Sequence, residues 1–214
     1  MSRWPLWLRV VRDALLVVAV LAALLGVGLA VSTARVEGLS MLPTLDDGDV
    51  LLVDRAAVRL VPPHRGDVVV VAEPNGVPVV KRVIAVPGDT VEIDGAHVDG
   101  PGMPARPAVL LKPDGLGSWQ RLDEPYVLPG WVLGQSCCLA DGRGGSSGPR
   151  PLTLPAGEFF VLGDNRNVSR DSRAFGPVPG DRILARVLVR YWPEGRAGSL
   201  ASGATMVPDA STPA

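Results

Sequence analysis

Val79-Val80-Lys81-Arg82-Val83-Ile84-Ala85-Val86, closed by Pro87-Gly88-Asp89 and followed by Thr90-Val91-Glu92-Ile93, is the stretch that decides the fold. The first run is apolar and rich in β-branched residues. It is too short for a buried helix and ends at a Pro-Gly-Asp turn, so it reads as a strand. The second run alternates apolar and polar residues, as a strand with one buried face does. Asp94-Gly95 and then residues 96–98 predict a two-residue hairpin.

The same pattern recurs along the chain. Residues 49–54 form a Val/Leu run after Asp46-Asp47-Gly48, and residues 67–72 form a valine run after Arg65-Gly66. Residues 158–162 and 183–192 supply later strands. The 25 glycines and 21 prolines among 214 residues favour many turns over long helices. No segment after Ala34 keeps a helical period over ten or more residues. The expectation is a mostly β fold, an antiparallel barrel-like or sandwich-like domain over residues 35–194. Within it, residues 100–155 read as a less regular insertion, with Gly-Arg-Gly-Gly-Ser-Ser-Gly at 142–148 as a flexible loop tip. Residues 195–214 are small and polar and read as a disordered tail.

The N-terminus differs. Residues 14–34 hold 21 consecutive uncharged residues, about 31 Å of helix, matching a bilayer core of about 30 Å. Residues 1–13 precede it with Arg3, Arg9 and Arg12 against one Asp13, and with Trp4 and Trp7 for the interface. This predicts a single transmembrane helix, N-terminus cytoplasmic, the rest outside the plasma membrane. Ser32-Thr33-Ala34 resembles a cleavage site, but the uncharged run exceeds the usual apolar region of a cleaved signal peptide. An uncleaved anchor is therefore expected.

Composition excludes several function classes. A formal net charge of −1 gives no basic excess for nucleic acid. The two cysteines, the adjacent Cys137 and Cys138, cannot build a multi-disulfide scaffold or a cysteine-rich zinc site. The only histidines are His64, in a proline-containing loop, and His97, beside the expected hairpin turn. They leave few options for a metal centre or a Ser-His-Asp triad, and no cofactor is expected.

Four segments carry candidate chemistry. They are Val36-Glu37-Gly38-Leu39-Ser40-Met41-Leu42-Pro43-Thr44, Arg65-Gly66-Asp67-Val68-Val69, the Lys81 strand, and Gly163-Asp164-Asn165-Arg166-Asn167-Val168-Ser169-Arg170-Asp171-Ser172-Arg173-Ala174-Phe175-Gly176. A serine nucleophile can take lysine as its base. Lysine ionises near pH 10.4 in water, and burial among apolar groups lowers that value towards the working pH. Lys81 has the right neighbours if it faces inward; facing solvent, it is only a strand lysine. Ser40 alone reads equally as a nucleophile or as a structural loop serine.

In this order, behind an N-terminal anchor, the four segments closely resemble the bacterial type I signal peptidases, membrane-bound serine proteases of the Ser-Lys dyad class. The match covers roughly residues 36–193 and includes Tyr191-Trp192-Pro193. The resemblance implies Ser40 as nucleophile, with its backbone N–H donating to the oxyanion, and Lys81 as general base. It implies Ser169 as the serine that orients the lysine, and Met41 near the substrate pocket. Asp171 and Arg173 match a supporting ion pair; Arg82, Asp164, Asn165 and Arg166 match supporting rather than chemical positions. It also implies removal of signal peptides from exported preproteins after small residues, commonly Ala-x-Ala. The partners are preproteins and the lipid bilayer; oligomeric state stays open. Gly38 stands where some members carry a serine that adds an oxyanion donor, and Asn167-Val168 replaces a more usual Asp-Asn. The competing readings are a Ser-Lys peptidase dedicated to one precursor, a self-cleaving repressor domain of the SOS response, and a catalytically silent anchored module. The anchor and balanced charge disfavour the repressor. The presence of all three of Ser40, Lys81 and Ser169 disfavours the silent module.

Overall fold

A computed structural model describes residues 5–98, 106–114, 117–128, 136–137, 144–146, 150–200 and 203–209. Helix α1 (Leu6–Ala30) is followed by strands β1 (Val31–Arg35), β2 (Val50–Asp54), β3 (Val68–Ala72), β4 (Pro78–Ala85), β5 (Thr90–His97), β6 (Arg106–Lys112) and β7 (Gln120–Asp123). Then come β8 (Ser136–Cys137), β9 (Gly144–Ser146), β10 (Leu152–Thr153), β11 (Glu158–Leu162), β12 (Val178–Pro179), β13 (Ile183–Trp192) and β14 (Thr205–Pro208). Two α-helices of four residues, α2 (Ala57–Leu60) and α3 (Ser172–Phe175), and two short 3-10 turns at Gly180–Arg182 and Glu194–Arg196 lie between the strands.

The strands form two antiparallel sheets. One runs β1-β2-β13-β3-β4-β11-β12, the other β14-β7-β6-β5-β8-β9 with β10 also on β5. Among the described residues both have free ends, so the mostly β expectation holds as curled open sheets. The strands read from sequence at 49–54, 67–72, 79–86, 158–162 and 183–192 match β2, β3, β4, β11 and β13 to within a residue. One apolar cluster, including Ile84, Phe160, Leu162, Ile93 and Leu111, joins β4 and β11 to β5 and β6. A second, including Val36, Leu45, Leu51, Val68 and Ala185, underlies the segment after β1.

Four expectations need correction. The hairpin at Asp94-Gly95 does not form. β5 runs through it and pairs with β6, with a register irregularity between Asp94 and His97. A type I′ turn needs positive φ at both central residues, and neither Asp94 nor Gly95 has it. Instead the Asp94 carboxylate accepts the Ala96 N–H at 2.9 Å. The tail expected at 195–214 is partly built into the fold. Leu200 is buried in the second cluster, Arg190 and Gly198 form a bridge, and β14 pairs with β7. One apolar residue among small polar ones suffices where a groove receives it.

Third, the loop tip expected at 142–148 contains β9, which pairs with β8; its remaining residues, like Cys138, lie outside the described residues. Fourth, the apolar run of 14–34 is not helical throughout. Val31, Ser32, Thr33 and Ala34 belong to β1, paired with β2, where β-branched residues fit better. Among the described residues no helix is long and apolar enough to cross a membrane. The described apolar side chains of α1, from Val10 to Leu21, are nonetheless exposed.

Candidate active site

Three chain segments converge on one point. The turn after β1 carries Ser40, β4 carries Lys81, and the loop between β11 and α3 carries Ser169 and Asp171. Lys81 Nζ lies 2.9 Å from Ser40 Oγ and 3.1 Å from the Val80 carbonyl. Lys81 is 2% exposed although it is a lysine, because its side chain stands off β4 towards the Ser40 turn rather than towards solvent. Burial pushes its ionisation below the usual lysine value. The carboxylates of Asp171, Glu73 and Asp164 oppose that shift, and Arg173 adds to it. A buried lysine next to a serine hydroxyl is equipped to take that hydroxyl's proton.

Along a strand, neighbouring side chains point to opposite faces, so Arg82 turns away from the dyad. Its guanidinium grips Asp164 with two bonds (2.9 and 2.7 Å) and donates to the Gly66 and Leu200 carbonyls. It also stacks 4.2 Å above the Tyr126 ring. Asp164 accepts a further bond from Thr44 Oγ1 at 2.5 Å. Arg82 and Asp164 are both fully buried, so this charge pair ties β4, the Ser40 turn and the fourth motif into one unit.

The fourth motif is held by its own acids and arginines. Asp171 caps α3, accepts the Gly163 N–H at 3.0 Å, and pairs with Arg173 through two bonds of 2.8 Å. Ser172 Oγ accepts the Val161 N–H. Gly163 has no room for a side chain: a Cβ there would lie 2.2 Å from Ser169 Oγ and 2.4 Å from the Ser40 carbonyl oxygen. Asn165 reaches the Ser40 turn twice, its backbone N–H to the Ser40 carbonyl (3.0 Å) and its Nδ2 to the Leu39 carbonyl (3.1 Å).

The structure brings Ser40, Lys81, Ser169, Asp171, Arg173 and Arg82 into one neighbourhood, with two departures from the sequence reading. Ser169 Oγ is buried but has no hydrogen-bond partner among the described residues; the bond to Lys81 implied by resemblance is absent, because the amine is turned to Ser40 and Val80. Met41 is 1% exposed, packed in the second apolar cluster rather than beside an open pocket. Its carbonyl accepts the Leu45 N–H, a helix-like turn that points both side chains into the core. His64 is exposed, whereas His97 is buried against Asp94 and Asp209; neither joins the dyad.

Sequence reading missed two supports. Glu124, just past β7 in the stretch read as an insertion, makes a bidentate pair with the fully buried Arg166. Tyr126 donates to Glu124 and stacks on Arg82. Nothing local in the sequence marks either residue, because their partners lie about 40 positions away.

Comparison with known proteins identifies the family. The sequence model of the family described as signal peptidase, peptidase S26, matches residues 7–192. A probable signal peptidase I-1 of a Synechocystis strain is 33% identical over 197 residues, covering 88% of this chain and 85% of the relative. Signal peptidase IB of Staphylococcus aureus is 33% identical over 171 residues, covering 76% and 78%. A crystal structure of a signal peptidase I from Enterococcus faecalis shares 29% identity, covering 58% of this chain and 95% of that one, at a TM-score of 0.39. The chain belongs to the signal peptidase family, peptidase S26.

Proposed function

We propose that the protein is a membrane-anchored serine endopeptidase that removes signal peptides from exported preproteins with a Ser40–Lys81 dyad, cutting after small residues of the Ala-x-Ala type. The observation that carries the reading is the 2.9 Å approach of a buried lysine amine to Ser40 Oγ. Neutral Lys81 accepts the Ser40 hydroxyl proton as Oγ bonds to the scissile carbonyl carbon. The carbonyl π pair moves to oxygen, and the Ser40 backbone N–H donates to that oxyanion. The carbon–nitrogen bond then breaks, and the ammonium of Lys81 returns its proton to the leaving amine. Water attacks the acyl-enzyme with Lys81 again as base, and Ser40 Oγ leaves with the proton. In this scheme the buried Ser169 Oγ, unbonded in the structure, turns to Lys81 Nζ when the amine leaves the Val80 carbonyl. Gly38 supplies no side-chain donor, so the backbone amide carries the oxyanion from this segment.

The substrate adds as an extended strand. β4 pairs with β3 along residues 78–82, but β11 meets β4 only from Arg82 onward. The β4 edge beside Lys81 therefore has free backbone groups for a peptide. The uncharged residues 14–34 and the exposed apolar residues of α1 support an N-terminal anchor with the catalytic domain outside the plasma membrane. Ser40 then sits close to the bilayer, where cleavage sites emerge.

The test compares wild type, Ser40→Ala and Lys81→Ala in detergent on a preprotein with an Ala-x-Ala junction, mapping the cut by mass spectrometry. A single cut after the final alanine, lost in both variants, is expected. Activity surviving in both variants overturns the dyad. No cut by folded wild type replaces general processing with a single dedicated precursor.

A further inference from the structure

We infer that Asn165 is the positioning residue that aims the Ser40 backbone N–H at the oxyanion. The inference rests on the proposed dyad and extends it to a residue that sequence reading assigned only to support. A peptide unit is planar, and in the trans form its C=O and N–H point in opposite directions. The Leu39 carbonyl and the Ser40 N–H belong to one such unit, so whatever holds the Leu39 oxygen also sets the direction of the Ser40 N–H. Asn165 Nδ2 donates to that oxygen at 3.1 Å, and the Leu42 N–H adds a longer bond at 3.3 Å. A carbonyl oxygen only accepts, so the amide nitrogen of Asn165 must face it.

The same residue holds the next peptide unit. The Asn165 backbone N–H donates to the Ser40 carbonyl at 3.0 Å. Both carbonyls flanking the Ser40 Cα are thus anchored on one residue. The anchoring matters because Gly38, two residues before Ser40, sits at φ +87° and has backbone freedom that other residues lack. Asn165 is itself braced. Its carbonyl accepts the Val168 and Ser169 N–H groups, and its neighbour Asp164 is locked by Arg82. The Ser40 N–H has no partner among the described residues. It is therefore held in place yet left open to the oxyanion.

The test uses the full chain in detergent with Asn165→Ala and Asn165→Asp. The second keeps the side chain's shape, but a carboxylate cannot donate to the Leu39 carbonyl. Removing an oxyanion donor outright lowers kcat about 100- to 1000-fold; with Leu42 still holding the unit, a fall of about 10- to 100-fold is expected. In Asn165→Ala, KM and the acid limb of the pH–rate profile stay where wild type has them, because the dyad is untouched; Asn165→Asp adds a carboxylate near Lys81 and moves the acid limb upward, in the direction that Asp171, Glu73 and Asp164 already act. The decisive readout is a peptide aldehyde, whose carbonyl carbon bonds Ser40 Oγ while its oxygen takes the oxyanion position. Its inhibition constant should rise by the same factor as kcat falls, while a non-cleavable peptide of the same sequence binds unchanged. Lower kcat with unchanged aldehyde affinity means fewer correctly folded molecules and overturns the inference. Normal turnover in both variants overturns it too. Full activity in Ser40→Ala breaks the dyad assignment instead, so the two failures are distinguishable.

Discussion

Replacing Lys81 with methionine should cut cleavage by orders of magnitude while changing stability in a pH-dependent way set by the lysine itself. Methionine nearly matches the lysine stem in length and fills the same buried space, so packing is kept. The folded protein holds Lys81 below its ordinary value of 10.5, with burial as the largest cause. In the unfolded chain the lysine ionises near that ordinary value. Between the two, the unfolded state binds a proton that the folded state does not. Wild-type stability therefore rises with pH across that window, and the penalty is complete below the folded value. Each unit of depression corresponds to about 1.4 kcal/mol.

Lys81→Met has no such proton, so its stability advantage over wild type should shrink as pH rises towards 10.5. A constant offset of about 1 kcal/mol for the lost bonds to Ser40 and the Val80 carbonyl does not alter that slope. The acid limb of wild-type kcat/KM reports the folded ionisation independently. Its distance below 10.5 must convert, at the rate above, into the change measured by urea unfolding of both proteins across the pH range. A stability difference that is flat with pH, or a size that disagrees with the acid limb, refutes the claim that a desolvated lysine is the base. Turnover should fall by about 100- to 10,000-fold, the usual range for losing a general base.

Two further outcomes follow from the packing around the dyad. Gly163→Ala should cut turnover by at least about 100-fold, because its Cβ would collide with Ser169 Oγ and the Ser40 carbonyl and small misplacements near the chemistry are costly; near-normal kcat would mean that the Ser40 turn moves freely. Arg82→Met should destabilise by about 3–5 kcal/mol in urea unfolding, because buried Asp164 keeps only its Thr44 bond. A loss below about 1 kcal/mol would show that Asp164 finds another partner or water.

The order of residues along the chain set the β grammar and the chemical parts. The strand at 79–86 was readable because an apolar, β-branched run ending in Pro-Gly-Asp has little choice of local structure, and β13 matches its predicted bounds of 183–192. Ser40, Lys81, Ser169, Asp171 and Arg173 could be singled out as candidates because they lie within short motifs that resemble a known family. How distant segments meet was settled by folding. That Lys81 faces Ser40 depends on how β4 and the turn after β1 are brought together, which local pattern does not set. Asp94-Gly95 looked like a turn, yet the long-range ladder to β6 outweighed its local preference. The C-terminal segment looked featureless until Leu200 met its groove and β14 met β7. Glu124 and Tyr126 likewise act through Arg166 and Arg82 across about 40 residues of chain. Local preferences are written into neighbouring residues, whereas burial and charge pairing belong to surfaces that exist only once the chain has folded.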